Sequence, residues 1–135
     1  MSTKIFVNLP VADLDRSMTF FRQLGYRFDT RFCDDTAACV VISDDIHAML
    51  LTHAKFRQFS PNAICDAREA TEVLVCLSCD SREQVDEMVA KAVAAGGNTY
   101  NPPQDHGWMY GHGFQDPDGH IWELAWMDES AIPQA

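Results

Sequence analysis

Hydrophobic and polar positions alternate and then switch period along this chain, and the switches mark its elements. Lys4 to Pro10 alternates as a strand, with Ile5, Val7 and Leu9 on one face and Phe6, Asn8 and Pro10 on the other. From Asp13 the spacing turns helical. Leu14, Ser17, Met18, Phe21 and Leu24 form a stripe, with Asp13 as N-cap and Gly25 at the C-terminal stop. Three strand-like runs follow, Tyr26 to Phe32, Ala37 to Ile42 and Ile46 to Thr52. They are separated by turns at Asp34-Asp35 and Ser43-Asp44-Asp45. Residues 54–70 read as a linker, in which Phe56 and Phe59 suit one helical turn before Ser60-Pro61-Asn62 breaks it.

The same order then returns. Glu72 to Cys79 reads as a strand, and Asp80-Ser81 caps a helix over Arg82 to Ala95 that ends at Gly96-Gly97. Asn98 to Asn101 reads as a short strand, and Pro102-Pro103 opens a loop through Gly107. Tyr110 to Met127 forms a hairpin around Asp116-Pro117-Asp118-Gly119. Pairing Gln115 with His120 across a four-residue turn sets Phe114 opposite Ile121, His112 opposite Glu123 and Tyr110 opposite Ala125. Ile121, Glu123 and Ala125 then share one face of the last strand, and Trp122, Leu124 and Trp126 the other, core-seeking face. The repeat predicts an α+β fold of two paired βαβββ units, residues 4–53 and 71–127, within a single domain over 1–135. Neither unit closes alone; paired, a step that periodicity itself does not show, the two would form a half-open curved barrel with helices on its outer face.

Composition narrows the partners. At 135 residues with 47% hydrophobic content the chain suffices for a core. A formal net charge of −10 offers no basic footprint for nucleic acid. No run of about eighteen apolar residues suggests a membrane span, and the first residues read as a strand rather than a signal peptide, so a cytoplasmic location is expected. The five cysteines are odd in number. Cys76 and Cys79 stand on opposite faces of a strand pattern, so all five read as buried or half-buried thiols rather than a redox or zinc pair.

The opening strand running into Val11-Ala12-Asp13-Leu14-Asp15-Arg16-Ser17 is one motif. Phe20-Phe21-x-x-Leu24-Gly25 and the terminal Phe114-x-Asp116-Pro117-Asp118-Gly119-x-x-x-Glu123 are two more. Together with the doubled βαβββ order they resemble the vicinal oxygen chelate superfamily, which includes glyoxalase I, bleomycin-resistance proteins and extradiol dioxygenases. The resemblance spans roughly residues 4–127. It implies a metal ligand on each of four strands, at positions that fall here on Phe6, Leu50, Leu74 and Glu123. Three of these are apolar and offer a divalent cation nothing. No cofactor is therefore expected. The alternative is a divalent metal displaced onto Glu72, His112 and Glu123, serving a metal-dependent lyase or dioxygenase-type enzyme.

The leading expectation is a glyoxalase/bleomycin-resistance-like protein that binds a small organic molecule in a cleft. Glu123 and His112 are the candidate catalytic pair, an acceptor or base beside an imidazole able to exchange protons. Phe6, Asn8, Glu72, Leu74, His106, Trp108 and Tyr110 are the candidate ligand-binding residues, with the aromatics on a loop at the cleft mouth. A carboxylate paired structurally to His112, and aromatics that merely cover an edge, are the plainer readings of the same residues. His120 is expected to be exposed, and His47 and His53 structural or solvated. The resemblance also implies a homodimer, for which unpaired sheet edges give a physical reason.

Overall fold

The alternating and helical stretches fold into two compact units, Met1–Asp66 and Ala67–Ala135. The computed structural model describes residues 2–134. In the first unit, β1 (Ile5–Val11), α1 (Leu14–Gln23), β2 (Arg27–Phe28), β3 (Ala37–Val41) and β4 (Ile46–Thr52) give a sheet of order β1-β4-β3-β2. A short α2 (His53–Arg57) follows, capped by the Thr52 side chain. In the second unit, β5 (Leu74–Ser78), α3 (Arg82–Ala94), β6 (Gln104–Asp105), β7 (Met109–Gln115) and β8 (Ile121–Met127) give the order β5-β8-β7-β6. In each sheet the first and last strands run parallel and the other pairs antiparallel. The result is an α+β fold of two βαβββ units whose sheets remain open.

Local chemistry sets the helix ends as expected. The Asp13 carboxylate accepts from Arg16 N, and the Ser81 hydroxyl accepts from Gln84 N. Both helices close with the same motif. Gly25 donates to Arg22 O and Tyr26 to Phe21 O; Gly96 donates to Val93 O and Gly97 to Ala92 O. Gly25 and Gly96 carry φ of 99° and 108°, the left-handed geometry this closure needs. α3 packs against β7 and β8, and Val85, Val89, Ala92, Phe114, Trp122 and Leu124 are all buried. Each such aliphatic side chain contributes about 1.5–3 kcal/mol on leaving water.

Three segments depart from expectation. Tyr26 to Phe32 is not one strand: β2 stops at Phe28, and the Asp29 side chain caps a 3₁₀ turn over Thr30–Phe32 while ion-pairing with Arg31 at 2.7 Å. A local hydrogen bond has outcompeted the ladder. The strand expected at Asn98 to Asn101 is a single bridge between Asn98 and Gln115, and the pairing strand is β6, beyond the two prolines.

The third departure is the hairpin register. Asp116 N donates to His120 O at 3.0 Å and Gly119 N to Asp116 O at 2.9 Å. The loop is therefore Pro117-Asp118-Gly119, a three-residue connection with Gly119 at φ 91°. The extra residue on the β8 side slips the pairing by one, so Gln115 faces Ile121, Phe114 faces Trp122, Gly113 faces Glu123, His112 faces Leu124 and Tyr110 faces Trp126. Asp116 anchors this tip. Its Oδ1 accepts from Asp118 N and His120 N, both at 3.0 Å, and its Oδ2 from the Trp122 indole at 3.1 Å. The Arg68 guanidinium donates to Pro117 O from the preceding segment.

Candidate functional site

A one-residue slip moves every β7 side chain to the other face of the sheet. The expected opposition of His112 and Glu123 is therefore corrected: His112 and Tyr110 share a face with Phe114, Trp122 and Leu124, the α3 side. Tyr110 Oη donates to Asp86 on α3 at 2.6 Å, and its ring and that of Trp126 both lie about 5 Å from the Arg82 guanidinium. Arg82 also ion-pairs with Asp105 at 2.7 Å and donates to Gly107 O. That pairing holds the Asp105 carboxyl down at about 2. Tyr110 thus braces the β6–β7 loop against α3 and is no cleft wall.

The opposite, open face of the second sheet carries Glu123, with Gly113 as its partner on β7 and Cys76 as its partner on β5. Around it lies a concavity of about 230 Å³, bordered by Tyr100, Asn101, Met109, Gly111, His112 and Ala125 among others. Two glycines line it, Gly111 half-buried and Gly113 buried. A Cβ on Gly113 would collide with the Tyr100 hydroxyl and stand 3.1 Å from Trp122 O. Tyr100 therefore lies over Gly113, beside Glu123. Burial, and then the Glu123 charge, push the Tyr100 phenol and the Cys76 thiol above their ordinary values. Both stay protonated at neutral pH. The Glu123 carboxylate itself is half-buried and has no hydrogen bond or ion pair among the described residues.

The remaining sequence candidates scatter. His112 still borders the concavity, but its Nε2 lies 3.0 Å from Asn101 O. It must carry a proton there to donate, and it so tethers the Tyr100 wall. Leu74 stands on Glu123's face opposite Ile121 and is 53% exposed. Glu72 precedes β5, outside the ladder. His106 is exposed and Trp108 half-buried in the β6–β7 loop, and neither borders the concavity. Phe6 and Asn8 belong to the first unit. Phe6 stacks on His47 with centroids 4.6 Å apart, and the Asn8 amide is spent on Phe6 O at 3.1 Å. Leu50, fully buried, pairs with Leu9 and so lies on the face opposite Phe6. Cys65 and Cys76 are exposed rather than buried or half-buried, and His120 is half-buried rather than exposed. Tyr100 and Cys76 are the residues that sequence reasoning missed. The signal for Tyr100 was Gly113, since a glycine inside a strand marks a close approach.

The doubled βαβββ order with Asp-Pro-Asp-Gly before a strand carboxylate defines a recognisable class. The family profile for the Glyoxalase/Bleomycin resistance protein/Dioxygenase superfamily matches residues 5–124, and the chain belongs to that superfamily. Among solved structures, a hypothetical protein of S. aureus is 27% identical over 93% of this chain and 94% of its own, with a TM-score of 0.78. A glyoxalase/bleomycin resistance protein/dioxygenase family enzyme of Burkholderia phytofirmans is 18% identical over 93% and 99%, with a TM-score of 0.76. A fosfomycin resistance protein of Mesorhizobium loti is 15% identical over 96% of each chain, with a TM-score of 0.69. No curated protein matches the sequence.

The superfamily implies a divalent metal, and the donors here do not fit one. Phe6 and Leu74 have no lone pair to offer, and Glu123's ladder neighbours are a thiol and a glycine. Among the described residues, no three His, Cys, Asp or Glu side chains gather as a set able to hold a metal ion. The displaced set of Glu72, His112 and Glu123 is not assembled, because His112 and Glu123 sit on opposite faces of their ladder and Glu72 lies outside it. No helix among the described residues is long and apolar enough to cross a membrane.

Proposed function

We propose that this protein binds a small organic molecule on the open face of its second sheet, without the superfamily's usual metal. Glu123 is the polar anchor, Tyr100 and Cys76 are neutral donors beside it, and His112 positions the Tyr100 wall. One observation carries the reading. A half-buried carboxylate without a partner stands in a concavity of the second sheet, whereas neighbouring acids such as Asp86, Asp105 and Asp116 are engaged within the fold.

The test is a saturation-transfer NMR screen of aromatic and aliphatic fragments. Hits are expected to vanish in Glu123→Gln and Tyr100→Ala and to weaken in His112→Ala, with melting temperatures shifted by no more than about 2–4 °C. Hits indifferent to Glu123→Gln would place binding elsewhere. Elemental analysis is expected to find well under one transition metal per chain; stoichiometric zinc, nickel, iron or manganese that is lost in Glu123→Gln would restore the metalloenzyme reading. We further propose a cytoplasmic homodimer. The edge strand β1 exposes Ile5 and Phe6, and β5 with its approach exposes Val73 and Leu74, apolar edges of the kind that invite a second copy. A monomer mass by light scattering at working concentration would count against the dimer.

A further inference from the structure

The binding reading leaves the ligand's chemistry open, and the lining of the concavity narrows it. We infer that the site takes an organic cation, an ammonium or amidinium group on a compact apolar body, seated with its charge on Glu123. This rests on the proposed function and specifies its ligand class.

No lysine or arginine lines the concavity among the described residues, and Glu123 is its only acidic side chain. Arg82, the cation nearest in sequence to β5, is committed to Asp105, Gly107 O and two aromatic rings on the other side of the sheet. His112 projects from the opposite face of β7 relative to Glu123, and its ring is engaged with Asn101 O. A ligand carboxylate or phosphonate would therefore meet an uncompensated like charge, while a ligand cation would supply the partner that Glu123 lacks. The other titratable groups at hand, Tyr100 and Cys76, face Glu123 and stay neutral, so they neither cancel its charge nor compete for a cation.

Shape agrees. Tyr100, Met109, Pro102 and Ala125 give apolar and aromatic walls, and a tyrosine face attracts a nearby cation. The net charge of −10 adds a long-range pull in the same direction.

The experiment is an amide-resolved NMR titration with three molecules that share a benzyl or phenyl body, namely benzylammonium chloride, benzyl alcohol and sodium benzoate. Benzylammonium is expected to shift the amides of Gly111, Gly113 and Glu123 and to bind at least tenfold more tightly than benzoate. In Glu123→Gln its affinity should fall to that of the alcohol, and in Glu123→Asp the preference for the cation should persist. Equal or tighter binding of benzoate or alcohol at those amides would overturn the cation assignment while leaving the binding function intact. Binding of the cation unchanged in Glu123→Gln would overturn it as well. If none of the three perturbs those amides up to the solubility limit in a well-dispersed spectrum, the binding function fails, and the ligand class with it.

Discussion

Replacing Asp116 by alanine should unlock the tip of the hairpin that carries Glu123. The carboxylate is 4% exposed and accepts three hydrogen bonds, from Asp118 N, His120 N and the indole of Trp122, itself 1% exposed. A hydrogen bond to a charged acceptor contributes about 1.5–3 kcal/mol. Part of that sum is offset, because burial of the carboxylate is itself costly and raises its pKa. Water also reaches the half-buried His120 donor once the side chain is gone. We therefore expect a net loss of about 2–4 kcal/mol. For a chain of this length that lowers the midpoint of thermal unfolding by roughly 8–15 °C. Urea denaturation followed by tryptophan fluorescence measures the first quantity, and thermal unfolding followed by circular dichroism the second.

Asp116→Asn is the informative companion, since it keeps an acceptor for the two backbone donors but removes the charge. Because the folded-state pKa of Asp116 is raised above the ordinary 3.8, the folded state binds this proton more tightly than the unfolded one. Its contribution thus makes stability decline as pH rises from about 3.8 through the folded value, and the asparagine variant should lack that decline. A loss under about 0.5 kcal/mol in Asp116→Ala, with the tryptophan signal unchanged, would refute the anchoring role.

Gly119→Ala should be worse than an ordinary surface change. Its φ of 91° disfavours any Cβ, and that Cβ would stand 3.0 Å from Arg68 N and 3.1 Å from the Ala67 carbonyl carbon, so a loss of about 2 kcal/mol or more is expected in urea melts. Asp105→Asn should flatten the acid limb of stability. The Asp105 carboxyl is lowered from 3.8 to about 2 chiefly by Arg82, so its contribution is complete above about 3.8 and is lost as pH falls through about 2; identical acid titrations of the two proteins would sink the pairing. Gly113→Ala should push the Tyr100 ring aside. This should abolish the fragment hits and also lower the melting temperature, because the new Cβ stands 3.1 Å from the Trp122 carbonyl oxygen as well as against the Tyr100 hydroxyl; unchanged hits in this variant would remove Tyr100 from the site.

What the sequence made legible was local. Asp13, Ser81, Gly25 and Gly96 end their helices through bonds reaching no more than five residues, and β4 falls on Ile46–Thr52 because short polar turns bracket it. The isolation of Glu123 from Trp122 and Leu124 follows from strand alternation alone, whereas the class of fold needed the doubled βαβββ order and the motifs shared with a known superfamily. The partner strand was not legible to the same degree. Asp-Pro-Asp-Gly serves equally as a four-residue turn or as the start of a three-residue loop with a left-handed glycine, and the two differ by one position. That position decides whether His112 or Gly113 stands opposite Glu123. Packing resolves it: Phe114 needs the α3 side, and a slip would trade it for a glycine there. Cys76 stayed unseen because its approach to Glu123 depends on a parallel pairing across some forty-five intervening residues, which no short-range pattern encodes.

The two glycines of the concavity bear on how such a site changes under selection. Of the two positions, Gly111 has room for a methyl group, its virtual Cβ lying 3.5 Å from Leu124 O, whereas Gly113 is held at zero side chain by Tyr100. New ligand preferences would thus arise by graded filling at 111 or by exchange of the walls at 76, 100 and 125. Position 113 would be free to vary only in lineages that had already given up the tyrosine.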